Sequence, residues 1–201
     1  PGLTFLSGSV KEGKAVLRQI KCTVKNGLVP NLLGAGNGEA TFNSADASLW
    51  YMLAVHRFAM ACPKEKHFIK KNCWPVIKDI LRHFAAGTMP DEDGNMLVYV
   101  DAEGLLHTGN DRTQLTWMDA SVTPRNGCAV ELNALWFDAL SFAAELAEEF
   151  GETPPEETAL LPRLKKAFNR VFRPSEEDAA VMGGGLYDTW HPEEGPGRHI
   201  R

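Results

Sequence analysis

Apolar residues recur along this chain in two arrangements, and the contrast between them predicts the fold. In the first they fall on one side of a helix. Over 11–25, Val16, Leu17, Ile20 and Val24 are spaced helically among basic residues. Over 64–84, Phe68, Ile69, Trp74, Ile77, Ile80 and Leu81 do the same, with Pro75 expected to kink the helix or begin a new one. Over 156–172 the apolar side is Leu160, Leu161, Leu164, Phe168 and Val171. Such helices cover a core with one face and meet water with the other.

In the second arrangement the apolar positions run almost all the way round. Residues 45–61 read ADASLWYMLAVHRFAMA, with His56 and Arg57 the strongly polar residues after the first turn. Residues 128–147 read CAVELNALWFDALSFAAELA, again apolar on most faces. A helix without a polar face needs neighbours on all sides.

The order along the chain is half-buried, buried, half-buried, an excursion, buried, half-buried. Antiparallel helices alternating in this way predict an all-α fold, a partial (α/α)6 toroid of inner and outer helices. A simple bundle is the competing architecture, but it does not separate its helices into two classes. Five helices cannot close a ring of six hairpins, so the chain reads as a single domain over 1–201 that is part of such a ring. The excursion spans 87–126. Within it, MLVYVDAEGLLHTG alternates around Asp101–Gly104 and predicts a small β-hairpin. The Gly- and Pro-rich tail GGGLYDTWHPEEGPGRHIR reads as loop.

Composition narrows the function classes. With 201 residues, 44% hydrophobic and 23% charged, the chain is long and apolar enough for one globular core. A net charge of −5 offers no excess of positive charge to meet phosphates, which argues against nucleic-acid and anionic-membrane partners. No run reaches the ~18 apolar residues of a membrane span. Cys22, Cys62, Cys73 and Cys128 lack metal-ligand spacing and read as reduced, mostly buried thiols of a cytoplasmic protein.

In a ring of helical hairpins, the loops leading into the inner helices open at one end, where polar side chains can converge. One such loop is Asn43-Ser44-Ala45-Asp46. There Asp46 either supports the helix N-terminus or contacts a substrate hydroxyl, and both readings stand. The other runs from Thr116-Trp117-Met118-Asp119 to Glu131-Leu132-Asn133. In an extended segment Trp117 and Asp119 point the same way. An aromatic wall can stack on a sugar ring, and it raises the pKa of a nearby carboxyl, as a general acid requires. From the residues alone, a loop Asp capping a turn remains the competing reading. Glu131 is open between helix-dipole partner and sugar ligand, and Arg125 can pair with either carboxylate. The six histidines are scattered and read as structural or surface residues.

At these residues a resemblance emerges. The runs FNSADASLWY, QLTWMDA, TPRNGCAVELNALWFDAL and GLYD…IR, together with the opening PGLTF, resemble the C-terminal amylo-α-1,6-glucosidase domain of bacterial-type glycogen debranching enzymes. The resemblance implies an (α/α)6 toroid related to glucoamylases. It also implies hydrolysis, with inversion, of the α-1,6-linked glucose left at a trimmed branch of glycogen or maltodextrin. Asp119 matches the family's general acid. Trp117, Trp50 and Trp136 become candidates to wall the glucose site, although Trp50 and Trp136 are equally candidates for the core. Asp46, Arg125, Glu131 and Asn133 would bind sugar hydroxyls or hold Asp119. No metal or organic cofactor is implied.

An inverting mechanism needs a second carboxylate as base. The family carries it on a later inner-helix loop, and this sequence ends at Ile200-Arg201, about where that helix is expected. The link from Asp119 to Thr123 is also a few residues shorter than usual. The remainder of a parent debranching enzyme is therefore an expected partner, and the 201-residue piece alone is expected to release no glucose. The rival readings are a non-catalytic glucan-binding or scaffold protein and a sugar epimerase. The latter is disfavoured because no His falls in the motif loops.

Overall fold

A computed structural model describes residues 7–34, 39–116 and 125–197. Helix α1 (Val10–Lys21) is amphipathic and buries Gly13 and Leu17. It stops four residues before its periodicity does. Asn26 and Gly27 both have positive φ (51° and 72°), and Lys25 and Leu28 exchange backbone hydrogen bonds of 3.0 and 2.9 Å across them. An Asn-Gly pair accepts this conformation at little cost, so the chain reverses there instead of continuing the helix. The Ser48 hydroxyl accepts from Val29 N (2.9 Å) and donates to Gly27 O (3.0 Å), which ties the turn to helix α2 (Asp46–Ala61).

After α2 a 3-10 turn (Pro63–Glu65) and a helical turn (Lys66–Phe68) lead into a π-helical turn (Ile69–Cys73) and then α3 (Trp74–Ala86). Pro75 sits in the first turn of α3, the new helix expected from its missing N–H. The π turn takes up the break in the hydrogen-bond ladder. The Lys14 ammonium and Arg18 guanidinium of α1 lie 5.0 and 5.1 Å from the Phe68 ring centroid and hold α1 against this region.

The expected hairpin is present as β2 (Met96–Val100) and β3 (Leu106–Thr108), and β1 (Thr88–Pro90) extends it to a three-stranded antiparallel sheet. At its turn Asp101 Oδ1 accepts from the N–H groups of Glu103 (2.9 Å) and Leu105 (3.0 Å), and Gly104 supplies φ of 90°.

Three departures from the sequence reading concern the second half, one of them a short helix over Glu176–Met182 that the apolar pattern did not predict. Cys128 and Ala129 form strand β4, and helix α4 begins after them (Val130–Phe150). The tail read as loop supplies β5 (Thr189–His191) and β6 (Gly195–Gly197), which complete a second antiparallel sheet, β4-β5-β6. Between them, a 3-10 turn (Glu156–Leu160) precedes α5 (Leu161–Phe172), and α6 (Glu176–Met182) is capped by Ser175 Oγ accepting from Asp178 N at 3.1 Å. The described residues are therefore mainly helical, with two small sheets.

The core lies between α2, α3, α4 and β2, with α5 closing over α4. His56 of α2 places Nδ1 3.2 Å from both carboxylate oxygens of Asp138 on α4 and stacks on Phe142 at 4.4 Å. The cysteines fit the reading of free thiols, but only Cys73 and Cys128 are buried, while Cys22 is exposed. Burial pushes the Cys73 thiol up to about 11, partly offset by its hydrogen bond with Tyr51. No described helix is long and apolar enough to cross a membrane.

Candidate active site

Three stretches meet at the N-terminal ends of α2 and α4. The Ala45 N–H, at the start of α2, donates to Leu115 O at 2.9 Å. The Arg125 N–H donates to the Gln114 side-chain oxygen at 2.6 Å. Gln114 and Arg125 flank residues 117–124, so the two stems of that segment are joined at its base, beside both helix starts.

Arg125 is the centre of this arrangement and is 2% exposed. Its Nη1 donates to Asp188 Oδ1 at 2.8 Å, and its Nη2 donates to the Glu131 carboxylate. Asp188 is itself buried, at 4% exposure. A desolvated guanidinium is tolerable only when paired, and here one carboxylate from α4 and one from the tail neutralise it. The Asp188 carbonyl also accepts from Val130 N at 3.0 Å, so one residue caps α4 through its backbone and holds Arg125 through its side chain.

Asp188 was not among the sequence candidates. Its partner is 63 positions away, and although it closes the family run GLYD, nothing in that run says what it pairs with.

The remaining candidates divide by environment. Asp46 is the first residue of α2, is buried, and accepts from the Ser44 hydroxyl. Ser44 Oγ in turn accepts from Ala47 N at 3.4 Å, in the first turn of the helix. Asn133 is fully buried. Its Oδ1 accepts from Leu106 N (2.8 Å), and its Nδ2 donates to Leu106 O and Ala129 O (3.0 Å each), which joins α4 to β3. Trp136 has no exposed surface and stacks on Phe84 at 6.1 Å, the core alternative of its two readings. Trp50 is 49% exposed on α2. Asp119 and Trp117 lie outside the described residues. Among the described residues no group of three or more His, Cys, Asp or Glu is placed to hold a metal ion.

Comparison with known sequences matches the chain to the family described as amylo-alpha-1,6-glucosidase over residues 1–201. The chain belongs to this family. A relative, glycogen debranching enzyme of Saccharomyces cerevisiae, is 28% identical over 197 residues, covering 72% of this chain and 13% of the relative. The chain thus spans a small part of the yeast enzyme's length. Within an amylo-alpha-1,6-glucosidase domain, the Arg125 cluster ties the chain at Gln114, Leu115 and Arg125 to the starts of the two most apolar helices.

Proposed function

We propose that this chain is part of an α-1,6-glucosidase domain that removes α-1,6-linked glucose from branch points of glycogen or maltodextrin with inversion. The observation that carries the reading is the family match along all 201 residues, which includes the Thr116–Ala120 run TWMDA. Asp119 is the general acid that protonates the leaving glycosidic oxygen, and Trp117 walls the glucose. Asp46 and Trp50 remain candidates at the margin of the sugar site, and Arg125 and Glu131 act by fixing the segment that carries Asp119.

The base is a carboxylate other than Asp188 and Glu131, because both are held on the Arg125 guanidinium rather than turned toward a water. It would stand about 6.5–9.5 Å from Asp119, leaving room for a water on the opposite face of the sugar. The remainder of a parent debranching enzyme supplies it. In this reading α2 and α4 are inner helices of a partial (α/α)6 toroid, and the exposed Met60 of α2 is covered by the rest of the ring. The setting is cytoplasmic.

The test uses the full-length protein containing this chain and a branched limit dextrin. Asp119→Asn should lower glucose release by about 10²–10⁴-fold, the usual contribution of a general acid. NMR of the fresh product should show β-glucose. Undiminished turnover in the variant would remove Asp119 from its role, and α-glucose would replace inversion with retention.

A further inference from the structure

The two small sheets touch along one line, where Thr108 and Gly127 exchange backbone hydrogen bonds of 2.9 and 3.1 Å. Beside that line opens a cleft of about 350 Å³. That is within the ~300–1,000 Å³ range of small-molecule sites, yet none of the residues discussed as the candidate active site lines it.

One wall is aromatic. The Tyr99 ring stacks on His107 with centroids 4.7 Å apart and planes 7° from parallel. His107 is fixed from behind by Asp101, 3.0 Å from its Nε2, and by the edge of Trp190 at 6.3 Å. Tyr99 keeps 38% of its surface exposed on this rigid support. A fixed, partly exposed phenol ring suits the C–H face of a sugar.

The facing walls are polar and already ordered. Asp91 accepts from the N–H groups of Asp93 (3.0 Å) and Asn95 (2.8 Å) and from the Asn110 side chain (3.4 Å). The Asn126 amide donates to Asp111 at 3.0 Å. Side chains held in place before a ligand arrives lower the ordering cost of binding. None of the described residues lining the cleft is Lys or Arg, whereas Asp91, Asp111, Glu193 and Glu194 are acidic. An anionic ligand is repelled, and a neutral polyol finds amide and carboxylate partners for its hydroxyls.

Position supplies the last argument. Asn110 and Asp111 lie on the chain leading to segment 117–124, and Asn126 lies just beyond it. A chain of sugars lying in the cleft is directed at the base of the segment that carries Asp119.

We propose that this cleft is a glucan-holding subsite, in which Tyr99 stacks on a glucosyl unit and the ordered amides and carboxylates bind its hydroxyls. The proposal rests on the glucosidase reading for the identity of the sugar. Its test is a ligand-observed NMR titration of the 201-residue chain with maltotriose. Wild type should bind it with a measurable dissociation constant. Tyr99→Phe should stay within twofold of it, while Tyr99→Ala should weaken binding at least tenfold. Asn95→Trp, at an exposed position on the rim, should weaken it similarly by filling the cleft, and this holds even if Tyr99→Ala perturbs the sheet.

Absence of maltotriose binding by the wild type, or unchanged binding in both Tyr99→Ala and Asn95→Trp, overturns the proposal. Tighter binding of glucose 1-phosphate than of maltotriose does so too. Tyr99-dependent binding supports the subsite even if the full-length protein releases no glucose, in which case the glucosidase reading fails alone.

Discussion

Helices α2 and α4 carry the same all-round apolar signature and end in different surroundings. Helix α4 meets α2, α3, α5, β3 and β4, and its Trp136, Leu140 and Ala143 are fully buried. Helix α2 packs on α4 and on the turns at 63–73, and leaves Trp50 at 49% and Met60 at 63% exposure. The signature reports that a helix is built for neighbours on every side. It does not report that this stretch of chain contains them all.

The comparison breaks most directly at its tryptophans. Trp136→Ala should destabilise the fold by about 3–5 kcal/mol, as expected for a large buried side chain, read from urea unfolding. Arg125→Ala should cost a similar ~3–5 kcal/mol, because Asp188 and Glu131 are left as neighbouring carboxylates without their cation. Here Arg125→Lys should recover only part, since one ammonium cannot span both partners as the guanidinium fork does. If Arg125→Ala unfolds at the wild-type midpoint, the cluster does not hold the start of α4.

Asn133→Ala should cost about 1–3 kcal/mol, because Leu106 N–H and C=O lose a buried partner. Hydrogen exchange at β3 should rise with it.

A smaller effect is pH-dependent. Burial raises the Asp101 carboxyl, but the hydrogen bonds from His107, Leu105 and Glu103 outweigh it and hold the group below the ordinary carboxylate range. A carboxyl lowered on folding contributes stability that is present above its unfolded pKa, ~3.9, and is lost as pH falls through the lower folded value. Asp101→Asn should therefore flatten the fall in stability below about pH 4. An unchanged acid limb in the urea midpoints would remove Asp101 from that role. The smallest effect expected is Trp50→Ala, within ~0.5 kcal/mol for this chain by itself. A large loss there would erase the difference between the two helices.

Much of the architecture was legible because it is local. The period of the apolar residues located the long helices, Pro75 marked the start of α3, and Asp101–Gly104 marked the turn between β2 and β3. The errors lie where a local signal competes with another or with distant pairing. The helical period over 11–25 masked the Asn26–Gly27 reversal. The tail looked like loop because Gly and Pro dominate it, yet Thr189 and Trp190 find their ladder partners in Ala129 and Cys128. Backbone hydrogen bonds of that kind depend on which strand arrives, not on side-chain composition.

The candidate site divides in the same way. Family motifs singled out Asp119, the run from Arg125 to Trp136 and the run that ends in Asp188, but did not show that Asn133 and Trp136 are buried or that Asp188 pairs with Arg125.

By itself, then, the sequence determined the longer helical segments, the two classes of helix and the family, since each rests on residue spacing along one stretch, but it missed the short helix over Glu176–Met182. Only the tertiary structure decided that Arg125 is shared between Glu131 and Asp188, that Trp136 is enclosed while Trp50 is exposed, and that two small sheets frame a polar cleft. Burial and ion pairing join residues as far apart as His56 and Asp138, 82 positions along the chain. They exist only once the helices have packed, and no period or motif encodes them.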